Sequence, residues 1–306
     1  MNNLSLQRDE PGRFIVVPTP NWRMRRRSRR ARSALFRLSL LFSVFLPVVG
    51  ANLNVETVKA WDSYIGRVNL PAGNLNSTGT RFLWVDGSPD RVSKVQSGEI
   101  LVSPASSNMP KGVPTGLIHD WIGAIFISGV TLDDVVHVAR DYERYKDIYV
   151  PSVIESRSVY LSDSEDRFTM RLANKSLFRK NAIEAEYQAS HIRLDERRRC
   201  IVSRTTRVQE ISAFGANGQH LLPEGQGSGV IWRQFDVTRF EQRDGGVYLE
   251  IEAIALSRDI PVSLRWLVEP IVRHVASTSV KNALQQTRDA VLNNRAFANG
   301  AVAGGE

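Results

Sequence analysis

The stretch VIWRQFDVTRFEQRDGGVYLEIEAIALSR (Val230–Arg258) decides the reading of this chain. Two apolar-alternating runs flank Asp244-Gly245, a dipeptide suited to a two-residue hairpin turn that needs positive φ at both central positions. Centring the turn there sets the register: Phe240 faces Leu249, Thr238 faces Ile251, Asp236 faces Ala253 and Gln234 faces Ala255. One side of the hairpin then holds Trp232, Gln234, Asp236, Thr238, Phe240, Val247, Leu249, Ile251, Ala253 and Ala255. The other holds Arg233, Arg239, Glu241, Glu250 and Glu252, with Arg239 opposite Glu250. A cross-strand ion pair predicts a solvated face there, so the first side faces the core. Small and polar residues on an inward face predict a cavity, not a filled interface.

Downstream, Pro261 opens a helix expected over about 262–293, with Leu264, Leu267, Val268, Ile271, Val275, Leu284 and Val291 on its apolar face. Pro270 is expected to kink it. An Ala/Gly-rich tail, 295–306, reads as disordered. Upstream, a strand is expected over 117–127 and a helix capped by Thr131 with Asp134 in a capping box. A short helix with Tyr142, Tyr145 and Tyr149 follows, then strands near 153–161, 166–174, 182–194 and 199–211. On 182–194, Ile183, Ala185, Tyr187, Ala189 and His191 share a side. Residues 52–115 read as an N-terminal extension or subdomain: a helix over 54–69, a strand at Arg81–Val85, a helical turn and a strand at 99–103. The fold class is α+β: a curved antiparallel sheet gripping a long C-terminal helix, with a small N-terminal helical and strand extension, the main domain spanning 116–294.

That order, with Asp141-Tyr142-Glu143-Arg144-Tyr145 running into Tyr149-Val150-Pro151-Ser152-Val153, resembles the START-like helix-grip superfamily of polyketide cyclases, lipid-transfer domains and birch-pollen-type allergens. The resemblance covers about 117–293. It implies a sheet wrapped on the last helix around an apolar cavity for a lipid, isoprenoid or polyketide-like molecule. The ligand-cavity candidates are Trp232, Gln234, Asp236, Ala253, Ala255, Tyr187, His191, Trp266, Tyr145 and Tyr149. A cyclase- or hydrolase-type enzyme on the same fold would use Asp236, His191 or His119 as acid–base groups. An envelope interaction protein with a filled core is the third reading. The five histidines show no metal-ligand spacing, no glycine-rich phosphate loop is present, and neither a metal nor a cofactor is called for.

Charge locates a different signal. The chain carries a formal +8, yet residues 1–51 hold ten arginines and two acids, and the remainder has thirty of each sign. A nucleic-acid partner needs a basic footprint on the folded domain, which this distribution does not supply. The arginines at 25–37, the apolar run Leu38–Val49 and Val49-Gly50-Ala51 follow the order of an export signal, 1–51, with Met24 an alternative start. An exported, periplasmic or extracytoplasmic domain is expected. An uncleaved signal would associate with the membrane through 34–51. Cys200 is the single cysteine, so no intramolecular disulfide is expected.

Overall fold

The computed structural model describes residues 4–8, 14–18, 53–68, 81–175 and 180–303. The chain divides into two units, Met1–Val49 and Gly50–Glu306. In the first, β1 (Leu4–Arg8) pairs antiparallel with β2 (Phe14–Pro18). The basic run, the apolar run and the cleavage site of the expected export signal lie outside the described residues. Among the described residues, no helix is long and apolar enough to cross a membrane.

The second unit is built on one antiparallel sheet. Its strands are β3 (Leu101–Pro104), β4 (Lys111–Val113), β5 (Gly116–Ser128), β6 (Val153–Leu161), β7 (Glu165–Lys175), β8 (Lys180–Arg193), β9 (Arg198–Ser212), β10 (His220–Leu221), β11 (Arg233–Arg243) and β12 (Gly246–Arg258). The order is β3-β5-β12-β11-β9-β8-β7-β6, with β4 also on β5 and β10 on β9. The helices are α1 (Val55–Ile65), α2 (Pro89–Gln96), α3 (Leu132–Arg140), α4 (Tyr145–Ile148) and α5 (Arg265–Ala303). The hairpin has the expected register, Phe240 on Leu249 through Gln234 on Ala255. Asp244 and Gly245 take φ of 54° and 77°, which turns the chain with the twist of its strands. Thr131 and Asp134 form the expected capping box.

From Val280 onward, α5 packs on the inner face of the sheet. A Cβ added at Gly123 of β5 would lie 2.7 Å from Val280 and 2.8 Å from Leu284, so the missing side chain lets helix and strand approach. Around this contact Ile125, Phe240, Leu249, Leu284 and Val291 form the main core.

Four expectations are corrected. Arg239 and Glu250 are not solvated: they are 5% and 1% exposed. Residues 53–68 and 81–96 fold over the outer face, and the burial they cause there is what the alternation of one hairpin could not show. Leu83, Val85 and Val95 pack on Ala124 and Tyr248, while Trp61 of α1 packs with Ile118, Val237 and Ile254. Second, Arg81–Val85 is not a strand. It ends in a 3-10 turn at Val85–Gly87, and the Glu250 carboxylate, not a neighbouring strand, accepts the N–H of Trp84 at 2.7 Å. Third, α5 continues through Ala303 instead of ending before a disordered tail; four alanines in 295–303 favour the helix and offset Gly300. Fourth, Trp232 precedes β11, escapes the strand alternation and joins Trp61 and Phe235 on the outer face.

Candidate ligand-binding groove

The inner face differs between its two ends. Towards the C-terminal half of α5 it is filled. Tyr142 stacks on Phe168 at 4.0 Å between ring centroids, and Phe168 stacks on Tyr187 at 4.9 Å. Tyr145 and Tyr149 meet edge to face at 4.8 Å. Their hydroxyls are engaged: Tyr145 donates to the Ala139 carbonyl at 2.6 Å, and Tyr149 shares a 2.9 Å hydrogen bond with Thr287.

Behind this aromatic row, the side chain of Asp166 is fully buried. Arg140 donates to both carboxylate oxygens at 3.0 and 2.9 Å, Tyr142 donates at 3.0 Å, the Ser162 N–H at 3.1 Å, and His191 Nε2 lies at 2.7 Å. Burial alone would raise this carboxyl, but Arg140, Ser162, His191 and Tyr142 together hold it below its ordinary value. Burial pushes the His191 imidazole down despite the carboxylate beside it. This assembly ties α3 to β7 and β8, and it gives His191 a structural position.

The other end is open. On β12 the outward Ile254 and Leu256 are fully buried, while the inward Ile251, Ala253 and Ala255 are only half-buried. On β11 the outward Phe235 and Val237 are buried, and the inward Gln234, Asp236 and Thr238 are half-buried. A helix seated along its length would give the reverse. The first part of α5, residues 265–279, has no buried residue among those described, and Trp266, Ile271 and Val275 are 77%, 39% and 40% exposed. Seating begins at Val280. A groove therefore runs between the first part of α5 and the ends of β5, β11 and β12 nearest it.

Its lining is apolar with a polar strip. Tyr187 donates to Gln234 Oε1 at 2.9 Å. Gln234 lies beside Asp236, whose register partners are Ser203 on β9 and Ala253 on β12. Burial pushes the Asp236 carboxyl up to about 7, against the pull of a hydrogen bond from the Gln234 side chain. At the groove's end His119 Nε2 lies 2.9 Å from Ser257 Oγ, and burial holds this imidazole down at about 4, so it is neutral at pH 7.

The groove thus brings together Gln234, Asp236, Ala253 and Ala255, while the buried ring of Tyr187 stays in the aromatic row and meets the groove only through its hydrogen bond to Gln234. His191, Tyr145 and Tyr149 lie in the filled end, Trp266 faces solvent, and Trp232 is on the outer face. The three acid–base candidates do not converge. His119 and His191 are each two strands from Asp236 and offset along them, about 10 Å or more away. Ser203 and Ser257 escaped the sequence reading. Ser203 enters only through the pairing of β9 with β11, across the insertion that carries β10. Among the described residues no group of three or more His, Cys, Asp or Glu could hold a metal ion.

The strand order and the gripping helix make an α+β helix-grip fold, one antiparallel sheet with a long C-terminal helix against it. No protein-family model matches the chain, and no curated protein does. Solved structures similar to it include a STAR-related lipid transfer protein fragment from Xanthomonas axonopodis, at 17% identity and TM-score 0.40, covering 62% of this chain and 98% of that one. Human STARD10 is similar at 11% identity and TM-score 0.44, over 67% of this chain and 74% of its own. The Zhui aromatase/cyclase from Streptomyces sp. R1128 is similar at 14% identity and TM-score 0.38, over 58% and 93%.

Proposed function

We propose that this protein is an exported binding domain for an apolar small molecule or lipid, held between the sheet and the first part of α5. The observation that carries the reading is the inverted burial of β11 and β12, where inward residues are more accessible than outward ones. Folding leaves little open apolar surface without use, because each Å2 removed from water contributes about 25 cal/mol. A ligand body against Ile251, Ala253, Ala255 and Ile271 would recover that contribution. The Tyr187–Gln234–Asp236 strip would meet one polar end.

Native mass spectrometry of gently purified protein is expected to show a bound apolar adduct, lost on denaturation. Ala253→Trp fills the groove where the native side chain is smallest. It is expected to weaken uptake of a fluorescent fatty alcohol at least about tenfold, a loss of about 1.4 kcal/mol, and to leave the far-ultraviolet circular dichroism unchanged. Ligand-free wild type, together with unaltered uptake by Ala253→Trp, would remove the groove reading.

Export is supported by the arginine-rich run, the apolar run and the small residues up to Ala51. Expression with a C-terminal reporter, fractionation and N-terminal sequencing are expected to find the domain outside the cytoplasm, starting near residue 52. A membrane-bound, uncleaved product would favour anchoring through 34–51, and a cytoplasmic product would end the proposal.

A further inference from the structure

A second hollow lies on the opposite side of the sheet. It is a cleft of about 490 Å3 between the outer strands and residues 81–91, within the range of small-molecule sites. Its floor carries Glu250 and Glu252, and both are committed. Glu250 accepts the N–H groups of Trp84 and Val85 at 2.7 and 3.4 Å and pairs with Arg239. Glu252 pairs with Arg239 at 2.7 Å. The neighbouring acids are also engaged, Asp86 with Arg243 and Asp90 with Lys94.

That leaves two cations in the wall. Neither Arg81 nor Arg91 has an ion pair or hydrogen bond among the described residues. The Arg91 guanidinium lies over the Trp84 ring, 4.2 Å from its centroid, which occupies one face and leaves its edge of N–H donors open. Both guanidinium groups lie against Gly87, Arg91 the more closely. A Cβ there would lie 2.4 Å from Arg91 Nη2 and 3.5 Å from Arg81 Nη1. The two groups are therefore within about 6 Å of each other, close enough for like charges to repel. Any side chain at Gly87 would displace Arg91 from Trp84.

Two guanidinium forks at one mouth suit an anion with several oxygens and more than one charge. A single carboxylate satisfies one fork, whereas a phosphate group can serve both. Phe82, Trp84 and Ile122 give the same cleft apolar walls. We propose that this outer cleft binds a phosphate-bearing organic molecule, with Arg81 and Arg91 on the phosphate oxygens and Phe82, Trp84 and Ile122 against its apolar part. The phosphate could belong to a soluble monoester or to a lipid headgroup. The site does not depend on the inner groove.

The full chain is titrated calorimetrically with phenyl phosphate, and co-sedimented with phosphatidylcholine vesicles with and without phosphatidate. Saturable binding to one probe is expected, weakened about tenfold by Arg81→Gln or Arg91→Gln and unchanged by Arg233→Gln. Arg91→Lys, which keeps charge but loses the fork and much of the stacking, is expected to fall between. Binding to phenyl phosphate assigns a soluble monoester; binding to phosphatidate vesicles alone assigns a headgroup. In the unmutated protein, phenyl phosphate or phosphatidate vesicles should also slow phenylglyoxal modification of Arg81 and Arg91, read by peptide mass. No binding to either probe, binding by both glutamine variants as tight as by wild type, or absence of that protection would overturn the proposal.

Discussion

Asp166→Ala is expected to destabilise the domain by about 3–5 kcal/mol, the range for removing one partner from a buried charge assembly. The carboxylate is inaccessible to solvent and accepts from Arg140, Tyr142 and the Ser162 N–H, with His191 also within hydrogen-bond distance. Alanine removes every acceptor at once. Buried Tyr142 has no water to replace it, and the half-buried Arg140 loses its bidentate partner. The damage should reach the aromatic row, because Tyr142 stacks on Phe168 and Phe168 on Tyr187. Chemical denaturation should show the midpoint falling, whereas Glu155→Ala, on an exposed surface pair, should leave it near wild type. A midpoint for Asp166→Ala equal to that of Glu155→Ala would show that the assembly contributes little. The assembly should also weaken in acid: the Asp166 carboxyl sits below its ordinary value, so its stabilisation is present above the unfolded value near 4 and is lost as pH falls through the lower folded value.

Asp236→Asn is expected to become progressively more stable, relative to wild type, as pH rises from 5 to 8. Burial raises the Asp236 carboxyl from 3.8 to about 7 in the folded protein. A raised carboxyl stabilises fully below its unfolded value, and that contribution disappears as pH climbs through the folded one. Over pH 5 to 8 the difference between variant and wild type should change by about 2–3 kcal/mol. The variant comparison is needed because other groups titrate across the same window. Asp120 and Glu250 are raised by burial to about 6 and about 7 and act in the same direction. His119 and His191, lowered by burial, favour the folded state as pH rises through about 6.5. The measurement is urea denaturation of both proteins at several pH values. A pH-independent difference would mean that solvent in the groove keeps Asp236 near its ordinary value. If a ligand's polar end meets Asp236, saturating ligand should flatten the same curve.

The hairpin and the open groove show how much was legible. Asp244-Gly245 fixes its own turn through local backbone preference, and a period of two then assigns every side chain of β11 and β12 to a face. The small and polar residues Gln234, Asp236, Ala253 and Ala255 could therefore be grouped from sequence. Tyr187 joined them through the alternation of β8, with β9 lying between. Trp232 failed because it stands one residue outside the strand, where alternation no longer applies.

What the sequence by itself determined is local: strand faces, turn, capping box and the order of elements that spells a helix grip. Only the tertiary structure decided what lies on each face, since the covering residues are far away in the chain. Glu250 looks like a surface partner of Arg239 until Trp84 and Val85 close over it. The apolar stripe of α5 predicts seating along its whole length. The structure seats it only from Val280 onward, where Gly123 lets the helix approach the sheet, and leaves the first part standing off. That partial seating creates the groove, and no periodicity within the helix encodes it.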